Sequence, residues 1–342
     1  MMSFNPKFIS ETCKYNFNDV MLVPTQPSRL SSRSEVNLEN TYNFTYTNSM
    51  ISAVPIIASN MDRIGTLKMY KCLSKYNIIT CFTKHISLEE LCSHDLNSDL
   101  YILSSGIKDS DILCLEEKIS RLNPKMVCFD VANGYMLNFL QKIKTFKSKH
   151  PDICVIAGNV VSKEMLRPLS EVGVDIVKIG IGSGSVCTTR LKTGVGYPQL
   201  SCIMDMRQEA TNLGMLLLSD GGIKTPGDAA KAFAAGADFI MVGGMFAGHK
   251  ESMLDSDEKD GIEFYGNSSE KALDKHYGGT KNYRTNEGKC VKVNYKGELS
   301  DTVQDLLGGI RSCCTYMDSL DLFELQDNSN FIVVNKQLND MF

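Results

Sequence analysis

Cys187 differs from the other cysteines of this chain because glycines and hydroxyl residues surround it. It lies in a segment called here the cysteine loop, Gly180–Arg190, which reads GIGSGSVCTTR and ends on a positive charge. A thiolate is the reactive form of cysteine, and a nearby positive charge or backbone N–H groups favour it. We therefore predict that Cys187 is a nucleophile rather than a packed structural cysteine. The clustered main-chain carbonyl groups of this loop are also suited to a monovalent cation.

Two glycine pairs indicate a second chemical function. Gly221 and Gly222 follow Asp220, and Gly243 and Gly244 follow the next apolar run. Such pairs are often plain turns, but the missing Cβ also lets backbone N–H groups approach an anion closely. The carboxylate of Asp220 cannot hold a phosphate, yet it can accept hydrogen bonds from two hydroxyls of a ribose. The predicted ligand is therefore a nucleotide or another phosphosugar.

Eight short apolar runs, rich in valine and isoleucine, provide the elements that position these residues. Runs of this kind are typical of parallel strands that are covered on both faces. Amphipathic helical stretches such as Leu137–Ser148 and Thr225–Ala235 lie between them. The regular alternation predicts an α/β fold, a closed (β/α)8 TIM barrel, with a doubly wound sheet as the alternative. The runs are Val54–Ser59, Ile78–Phe82, Leu100–Ser104, Met126–Asp130, Ile153–Gly158, Val174–Ile179, Met215–Ser219 and Asp238–Val242.

Polar residues and glycines gather where these runs end. In a barrel the active site lies at that end of the strands, and the loops after the seventh and eighth strands often bind phosphate. The two glycine pairs fall in these two loops, and the cysteine loop follows the sixth run. Helix capping explains any single polar residue here, but the clustering predicts one site.

Length and composition exclude several classes of protein. The chain has 342 residues, a net charge of −4 and 43% hydrophobic residues. This is an ordinary globular composition, without the basic excess of a nucleic-acid-binding protein or a run long enough to span a membrane. We find no secretion signal and no cysteine spacing typical of zinc. We expect a cytoplasmic protein whose other cysteines, such as Cys81, Cys114, Cys128 and Cys154, are reduced and buried.

Several long, ordered motifs resemble the inosine-monophosphate dehydrogenase / GMP reductase family. The resemblance extends from about Tyr15 to about Tyr316 and favours the reductase branch. The dehydrogenases usually insert regulatory domains after the second βα unit, whereas here the second and third runs begin at residues 78 and 100. The motifs are the cysteine loop, Gly196–Gln199, Ser219–Gly222 and Glu287–Lys289.

The order of two residues near the C-terminal motif also favours the reductase branch. The dehydrogenases carry an Arg-Tyr pair that activates water, whereas this chain has Tyr283-Arg284. The resemblance implies one catalytic barrel over residues 1–342, with an N-terminal extension of about 1–50 and no regulatory insertion. It also implies a mobile segment of about 248–290 after the eighth strand, called here the flap.

The resemblance implies reductive deamination of GMP to IMP and ammonia with NADPH. The thiolate of Cys187 adds to C2 of the purine, which bears the amino group. Thr189 and Glu287 form the relay that supplies a proton to the departing amine. The resulting thioimidate accepts a hydride from NADPH, and Cys187 leaves as IMP forms. No attacking water is needed, in agreement with the missing Arg-Tyr pair.

The resemblance further implies which residues bind GMP, NADPH and potassium. GMP is expected at Asp220, Gly221, Gly222, Gly243 and Gly244, with Gly266, Asn267, Ser268, Arg284, Thr285, Asn286 and Gly288 closing over the base. NADPH is expected at Lys84, Asp130, Val131, Ala132, Ile181, Gly182 and Tyr283 of one subunit. From the neighbouring subunit of a homotetramer it is expected to meet Ser32, Arg33, Ser312, Cys313, Cys314 and Thr315. A potassium ion is expected on the main-chain carbonyls of Gly182, Gly184 and Cys187, next to Arg190.

Two residues depart from the family pattern, and one assigned residue has a simpler explanation. Ser183 replaces a usual proline and is expected to loosen the cysteine loop, and Asn267 replaces a usual methionine near the base. The guanidinium of Arg33 suits the 2′-phosphate of NADPH, but a solvated arginine beside Glu35 is equally consistent with the sequence.

Three other functions remain open. The first is an IMP dehydrogenase without regulatory domains, which hydrolyses the same thioimidate. The second is a flavin-dependent barrel oxidoreductase whose FMN phosphate uses the same glycine loops. The third is a nucleotide-binding barrel that senses purines without turnover.

Overall fold

Strands and helices alternate along most of the chain. The computed structural model describes residues 9–254, 261–279, 282 and 285–335. The strands are β1 (Val20–Leu22), β2 (Asn40–Asn43), β3 (Met50–Ala58), β4 (Ile78–Phe82), β5 (Tyr101–Ser105), β6 (Met126–Asp130), β7 (Cys154–Val160), β8 (Ile176–Ile179), β9 (Leu216–Asp220), β10 (Phe239–Val242), β11 (Ile262–Tyr265), β12 (Cys290–Val293) and β13 (Phe331–Val333). The helices are α1 (Leu67–Leu73), α2 (Leu88–Cys92), α3 (Asp109–Leu122), α4 (Leu137–Lys149), α5 (Leu166–Glu171), α6 (Thr189–Thr193), α7 (Gln199–Asn212), α8 (Pro226–Ala234), α9 (Glu270–Tyr277), α10 (Leu299–Tyr316) and α11 (Leu322–Asn328). Among these helices, none combines the length and the apolar character needed to cross a membrane.

A closed parallel barrel lies at the centre, and the predicted fold is confirmed. Within the described residues, the eight strands from β3 to β10 pair in chain order, each parallel to the next. The barrel closes where β10 pairs with β3, with Ile240 opposite Ile56. Because helices cover the outside and side chains fill the inside, β4 and β5 are buried along their whole length.

The observed strands follow the apolar runs closely, with one informative difference. β4 and β6 have the predicted bounds, whereas β3 begins four residues before the predicted Val54. The first half of β3 pairs antiparallel with β2, with Thr41 opposite Ser52, before the chain enters the parallel barrel. This half alternates exposed and buried residues, a pattern expected of an edge that is covered on one side only.

The expectation of buried thiols is only partly correct. Cys81, Cys128 and Cys154 are buried, because they lie on barrel strands, but Cys114 is exposed on α3. Apolar neighbours in the sequence therefore do not predict whether a cysteine is buried on a barrel strand or exposed on the outer face of a helix. The other cysteines that are exposed in the described ranges are Cys13, Cys92 and Cys290.

Candidate active site

A short line of side chains joins the three residues predicted to be catalytic. The Sγ of Cys187 lies 3.2 Å from the Oγ1 of Thr189 and donates to it. The Thr189 hydroxyl in turn donates to Oε2 of Glu287 at 2.8 Å. All three residues are partly exposed, so a ligand can reach them. The structure thus places a thiol, a hydroxyl and a carboxylate in the order that a proton relay requires.

Two backbone hydrogen bonds hold Glu287 beside the cysteine loop. The N–H of Thr188 donates to the Glu287 carbonyl at 2.8 Å, and the N–H of Lys289 donates to the Val186 carbonyl at 2.9 Å. Gly288 lies between them, and a Cβ there would come within 2.9 Å of a backbone nitrogen of the flap. A glycine is therefore required for this close approach.

In the described residues, the flap contributes one strand and a helix to a two-stranded hairpin that is completed where the flap ends. β11 pairs antiparallel with β12, and α9 lies between them in the chain. Gly266 lies against the cysteine loop, since a Cβ at this position would be 3.4 Å from the Val186 side chain. Of the other flap residues predicted to bind ligands, Ser268 and Asn286 are partly exposed, Asn267 and Thr285 are exposed, and Tyr283 and Arg284 lie outside the described residues.

A pocket brings the predicted phosphate-binding glycines next to the cysteine loop and the flap. Gly221 and Gly222 have φ angles of +90° and +85°, in the left-handed region that favours glycine. Phe264 of β11 contributes a wall from the flap side. Five of the lining residues are glycines, whose backbone N–H groups an anion can approach closely. The lining residues are Ser59, Met61, Gly184, Ser185, Val186, Asp220, Gly221, Gly222, Ile223, Lys224, Met241, Gly243, Gly244 and Phe264.

Ser183 attaches the cysteine loop to the end of β9. Its hydroxyl donates to the main-chain carbonyl of Asp220 at 2.8 Å. A serine at this position was expected to loosen the loop, but its side chain provides a contact that a proline cannot make. The loop and the predicted ribose-binding residue are therefore held together at this point.

A buried lysine that was not predicted from the sequence connects two of the predicted binding carboxylates. The Nζ of Lys178 donates to Asp220 at 2.6 Å and to Asp130 at 2.9 Å. Asn159 also donates to Asp220, at 2.8 Å. Burial lowers the pKa of Lys178, but the two carboxylates outweigh burial and raise it, so the lysine stays charged. A lysine inside an apolar run was the available signal, because charged residues are almost never buried without partners.

The predicted cofactor residues of one subunit meet at the same end of the barrel. Lys84 follows β4, Asp130 ends β6, and Ile181 and Gly182 follow β8. Lys84 donates to the carboxylate of Asp111 at 3.0 Å. Beside Asp130, Val131 is partly exposed and Ala132 is exposed, whereas Ile181 is buried.

All but one of the residues predicted to reach a neighbouring subunit's cofactor share one surface. The short 3-10 helix Arg33–Glu35 packs against α10, which carries Ser312, Cys313, Cys314 and Thr315. Ser32 and Arg33 are exposed, while the Cys314 side chain is buried in the core and faces away from this surface. Glu35 accepts hydrogen bonds from the backbone N–H groups of Ser31 and Ser32.

Arg190 is the last residue of the cysteine loop, the segment expected to hold a cation. Its side chain fills the space beside Gly182 and Gly196, where an added Cβ would lie 2.4 and 2.6 Å from its Cγ. Its guanidinium donates to the Tyr197 carbonyl. In the described ranges, no group of three or more His, Cys, Asp or Glu residues is placed to hold a metal ion. The candidate ligands here are main-chain carbonyls.

Comparison with known proteins agrees with this site. A family model described as the IMP dehydrogenase / GMP reductase domain matches residues 105–338. GMP reductase 2 of Homo sapiens is 46% identical over 342 residues, covering 98% of each chain. GMP reductase of Caenorhabditis elegans is 46% identical, covering 96% of this chain and 94% of that protein. GMP reductase of Escherichia coli O157:H7 is 45% identical, covering 98% of this chain and 99% of that protein. This chain is therefore an oxidoreductase of the IMP dehydrogenase / GMP reductase family, and its similarity to the reductases extends over nearly its full length.

Proposed function

We propose that this protein catalyses the NADPH-dependent reductive deamination of GMP to IMP and ammonia. The observation that carries the proposal is the hydrogen-bonded line from Cys187 through Thr189 to Glu287, next to a glycine-lined pocket. A purine C2 that carries an amino group needs a nucleophile on carbon and a proton on nitrogen. This line supplies both from adjacent side chains.

The residues of the line act in sequence on the substrate. The Cys187 thiolate forms a bond to C2, and the amino group leaves as ammonia after taking a proton through Thr189 from Glu287. NADPH supplies a hydride to C2 when it is bound. The bond from sulfur to C2 then breaks, which returns the thiolate and releases IMP. The flap excludes water from the covalent adduct, so hydrolysis to the dehydrogenase product does not compete.

The binding roles follow from the chemistry of each group. Gly221, Gly222, Gly243 and Gly244 present backbone groups to the phosphate, and the Asp220 carboxylate accepts hydrogen bonds from the ribose. The flap residues Gly266, Asn267, Ser268, Arg284, Thr285, Asn286 and Gly288 are proposed to close over the base.

The NADPH site is proposed at the rim beside Lys84 and Asp130. These groups fit the cofactor, because a carboxylate can accept from ribose hydroxyls and an ammonium can pair with phosphate. The same site includes Val131, Ala132, Ile181, Gly182 and Tyr283. Arg33 is exposed and Glu35 is engaged by backbone N–H groups, which supports a role for the guanidinium at the 2′-phosphate.

A cation site and a neighbouring subunit are proposed to complete the enzyme. Main-chain carbonyls of Gly182, Gly184 and Cys187 are oxygen ligands of the type that suits K+, although the Gly184 carbonyl also accepts the Cys187 N–H at 3.1 Å. We propose a homotetramer in which Ser32, Arg33, Ser312, Cys313 and Thr315 complete a neighbour's cofactor site. The side chain of Cys314, which the family resemblance also assigns there, is buried and takes no part. The chain is proposed to act as one catalytic domain in the cytoplasm, without a regulatory insertion.

The test follows NADPH absorbance with GMP and K+ on the wild type and on Cys187→Ala. We expect GMP-dependent oxidation in the wild type and none in the variant. Cys290→Ala, which removes an exposed thiol of the flap, is the matched control and is expected to retain activity.

Other outcomes of this assay identify the competing functions. NAD-dependent oxidation of IMP without GMP reduction would place the protein on the dehydrogenase branch. A yellow purified protein would favour a flavin enzyme. Binding of GMP without turnover, either of GMP with NADPH or of IMP with NAD, would favour a purine sensor.

A further inference from the structure

The flap contacts the barrel at a second place besides the cysteine loop. Asp62, in the loop after β3, accepts three hydrogen bonds from flap side chains on a single oxygen, Oδ2. The donors are the Tyr265 hydroxyl at 3.0 Å, the Lys275 ammonium at 3.0 Å and Nε2 of His276 at 2.7 Å. Asp62 has no role in the chemistry described above, and its side chain is only 8% exposed.

The surroundings of Asp62 favour a charged carboxylate. Burial alone would raise the pKa of Asp62, but the hydrogen bonds from His276 and Lys275 outweigh burial and hold that pKa below its ordinary value. The same helix makes a further contact, because the rings of His276 and His85 stack with centroids 3.6 Å apart. The C-terminal turn of α9 therefore docks on the barrel loops that follow β3 and β4.

The other end of α9 touches the residue that completes the proposed relay. The N–H of Glu287 donates to the Ser268 carbonyl at 3.2 Å, and Ser269, the N-cap of α9, forms a bridge with Gly288. A continuous set of contacts thus runs from Asp62 through α9 to Glu287, and from Glu287 to Thr189.

We propose that Asp62 is the positioning residue that holds the flap on the barrel and thereby places Glu287 against Thr189. The effect on catalysis rests on the proposed function, whereas the anchoring of the flap does not. Asp62 touches neither the proposed substrate nor the reacting atoms, so it acts only through the flap, by way of α9 and of Tyr265 at the end of β11. A single buried acceptor that binds three donors of the flap stabilises the docked position of the flap. It also makes this position specific, because all three donors must meet the same oxygen.

The test measures hydrogen exchange of backbone N–H groups in the full chain, without GMP or NADPH. In Asp62→Ala we expect exchange in α9 and at Glu287 to rise about tenfold or more, while β7 in the barrel keeps wild-type protection. Asp274→Asn, an exposed acid on the same helix, is the control and is expected to exchange like the wild type. Unchanged exchange of α9 in Asp62→Ala would overturn the anchor.

A second variant and the NADPH assay test the same role of Asp62. If Asp62→Ala does not fold, Tyr265→Phe removes one of the three donors from the flap side, and a smaller rise in α9 exchange is still expected. In the NADPH assay, Asp62→Asn is expected to lower kcat about tenfold, with the KM for GMP changed less than the rate. If hydrogen exchange in α9 rises but the kcat of Asp62→Asn stays at the wild-type value, the positioning role is refuted. Asp62 would then only anchor the flap.

Discussion

At the scale of single residues, the Thr189 hydroxyl has two partners and one hydrogen. It accepts from Cys187 and donates to Glu287, so a proton can pass along the line in either direction. Removal of this hydroxyl breaks the line without touching the thiol or the carboxylate. Proton transfer along the proposed relay therefore requires Thr189 as much as its two more reactive neighbours.

Thr189→Val is expected to lower kcat by about 100-fold or more, in the range of general acid–base catalysis. The KM for GMP is expected to change little, because the phosphate and ribose contacts lie elsewhere. Thr189→Ser keeps the hydroxyl and is expected to retain most of the activity. Steady-state kinetics of both variants provide the check, and a valine variant as active as the serine variant would contradict the relay.

The sequence draws attention to single residues where chemistry leaves a local pattern. Cys187 stood out because its neighbours are glycines and hydroxyls, and its Sγ lies beside the hydroxyl of Thr189, two residues along the same loop. Lys178 was missed because its partners, Asp130 and Asp220, lie far from it in the chain and meet only in the closed barrel. Asp62 was missed for the same reason, because its partners all lie in the flap, far from it in the chain.

At the scale of elements, the regular alternation of strands and helices was predictable, but α10 was not. Gly308 and Gly309 lie inside this 18-residue helix and lower its local helix propensity. The structure gives the reason for one of them. A Cβ at Gly309 would come within 2.4 Å of the Pro226 side chain, so α8 and α10 pack too closely for any larger residue.

The docked flap is expected to loosen as the pH falls. Burial, together with the charges of His276 and Lys84, lowers the pKa of His85 from 6.5 to about 4. An undocked flap leaves His85 nearer its ordinary pKa, so the undocked state binds the proton more readily. Between pH 6.5 and pH 4 the docked state therefore loses stability as the pH falls, and above pH 6.5 this contribution is fully present.

Hydrogen exchange of α9 as a function of pH checks this expectation, after correction for the intrinsic exchange rate. His85→Phe keeps a flat ring against His276 but cannot be protonated, so it is expected to reduce the pH dependence. Equal pH dependence in the wild type and the variant would show that His85 does not control docking.

At the scale of the whole molecule, the end of the barrel opposite the site carries a structural carboxylate. Asp175 precedes β8, is 1% exposed, and accepts hydrogen bonds from the Tyr46 N–H at 2.8 Å and the Thr47 hydroxyl at 2.7 Å. Lys147 lies 3.5 Å away as its counter-ion. These contacts attach the N-terminal segment to the barrel, so this end serves stability while the other end serves chemistry.

Asp175→Ala is expected to cost about 3 to 5 kcal/mol of unfolding free energy, because it removes the counter-ion of Lys147 and the shared acceptor of three donors, the N–H groups of Tyr46 and Val155 and the Thr47 hydroxyl. The kcat of the protein that remains folded is expected to stay near the wild-type value. Urea unfolding and the NADPH assay, run together, separate the two effects. Asp152→Ala, at an exposed position, is the control, and a variant that loses kcat but not stability would contradict this division.

The most direct test of the account compares ammonia release with NADPH oxidation in the wild type and in Glu287→Gln. The wild type is predicted to release one ammonia for each NADPH that is oxidised in the presence of GMP. Glu287→Gln is predicted to lower both rates together by about 100-fold or more, while Glu270→Gln, an exposed flap variant, leaves both unchanged. Oxidation of NADPH without ammonia, or a Glu287→Gln enzyme as fast as the wild type, would contradict the account.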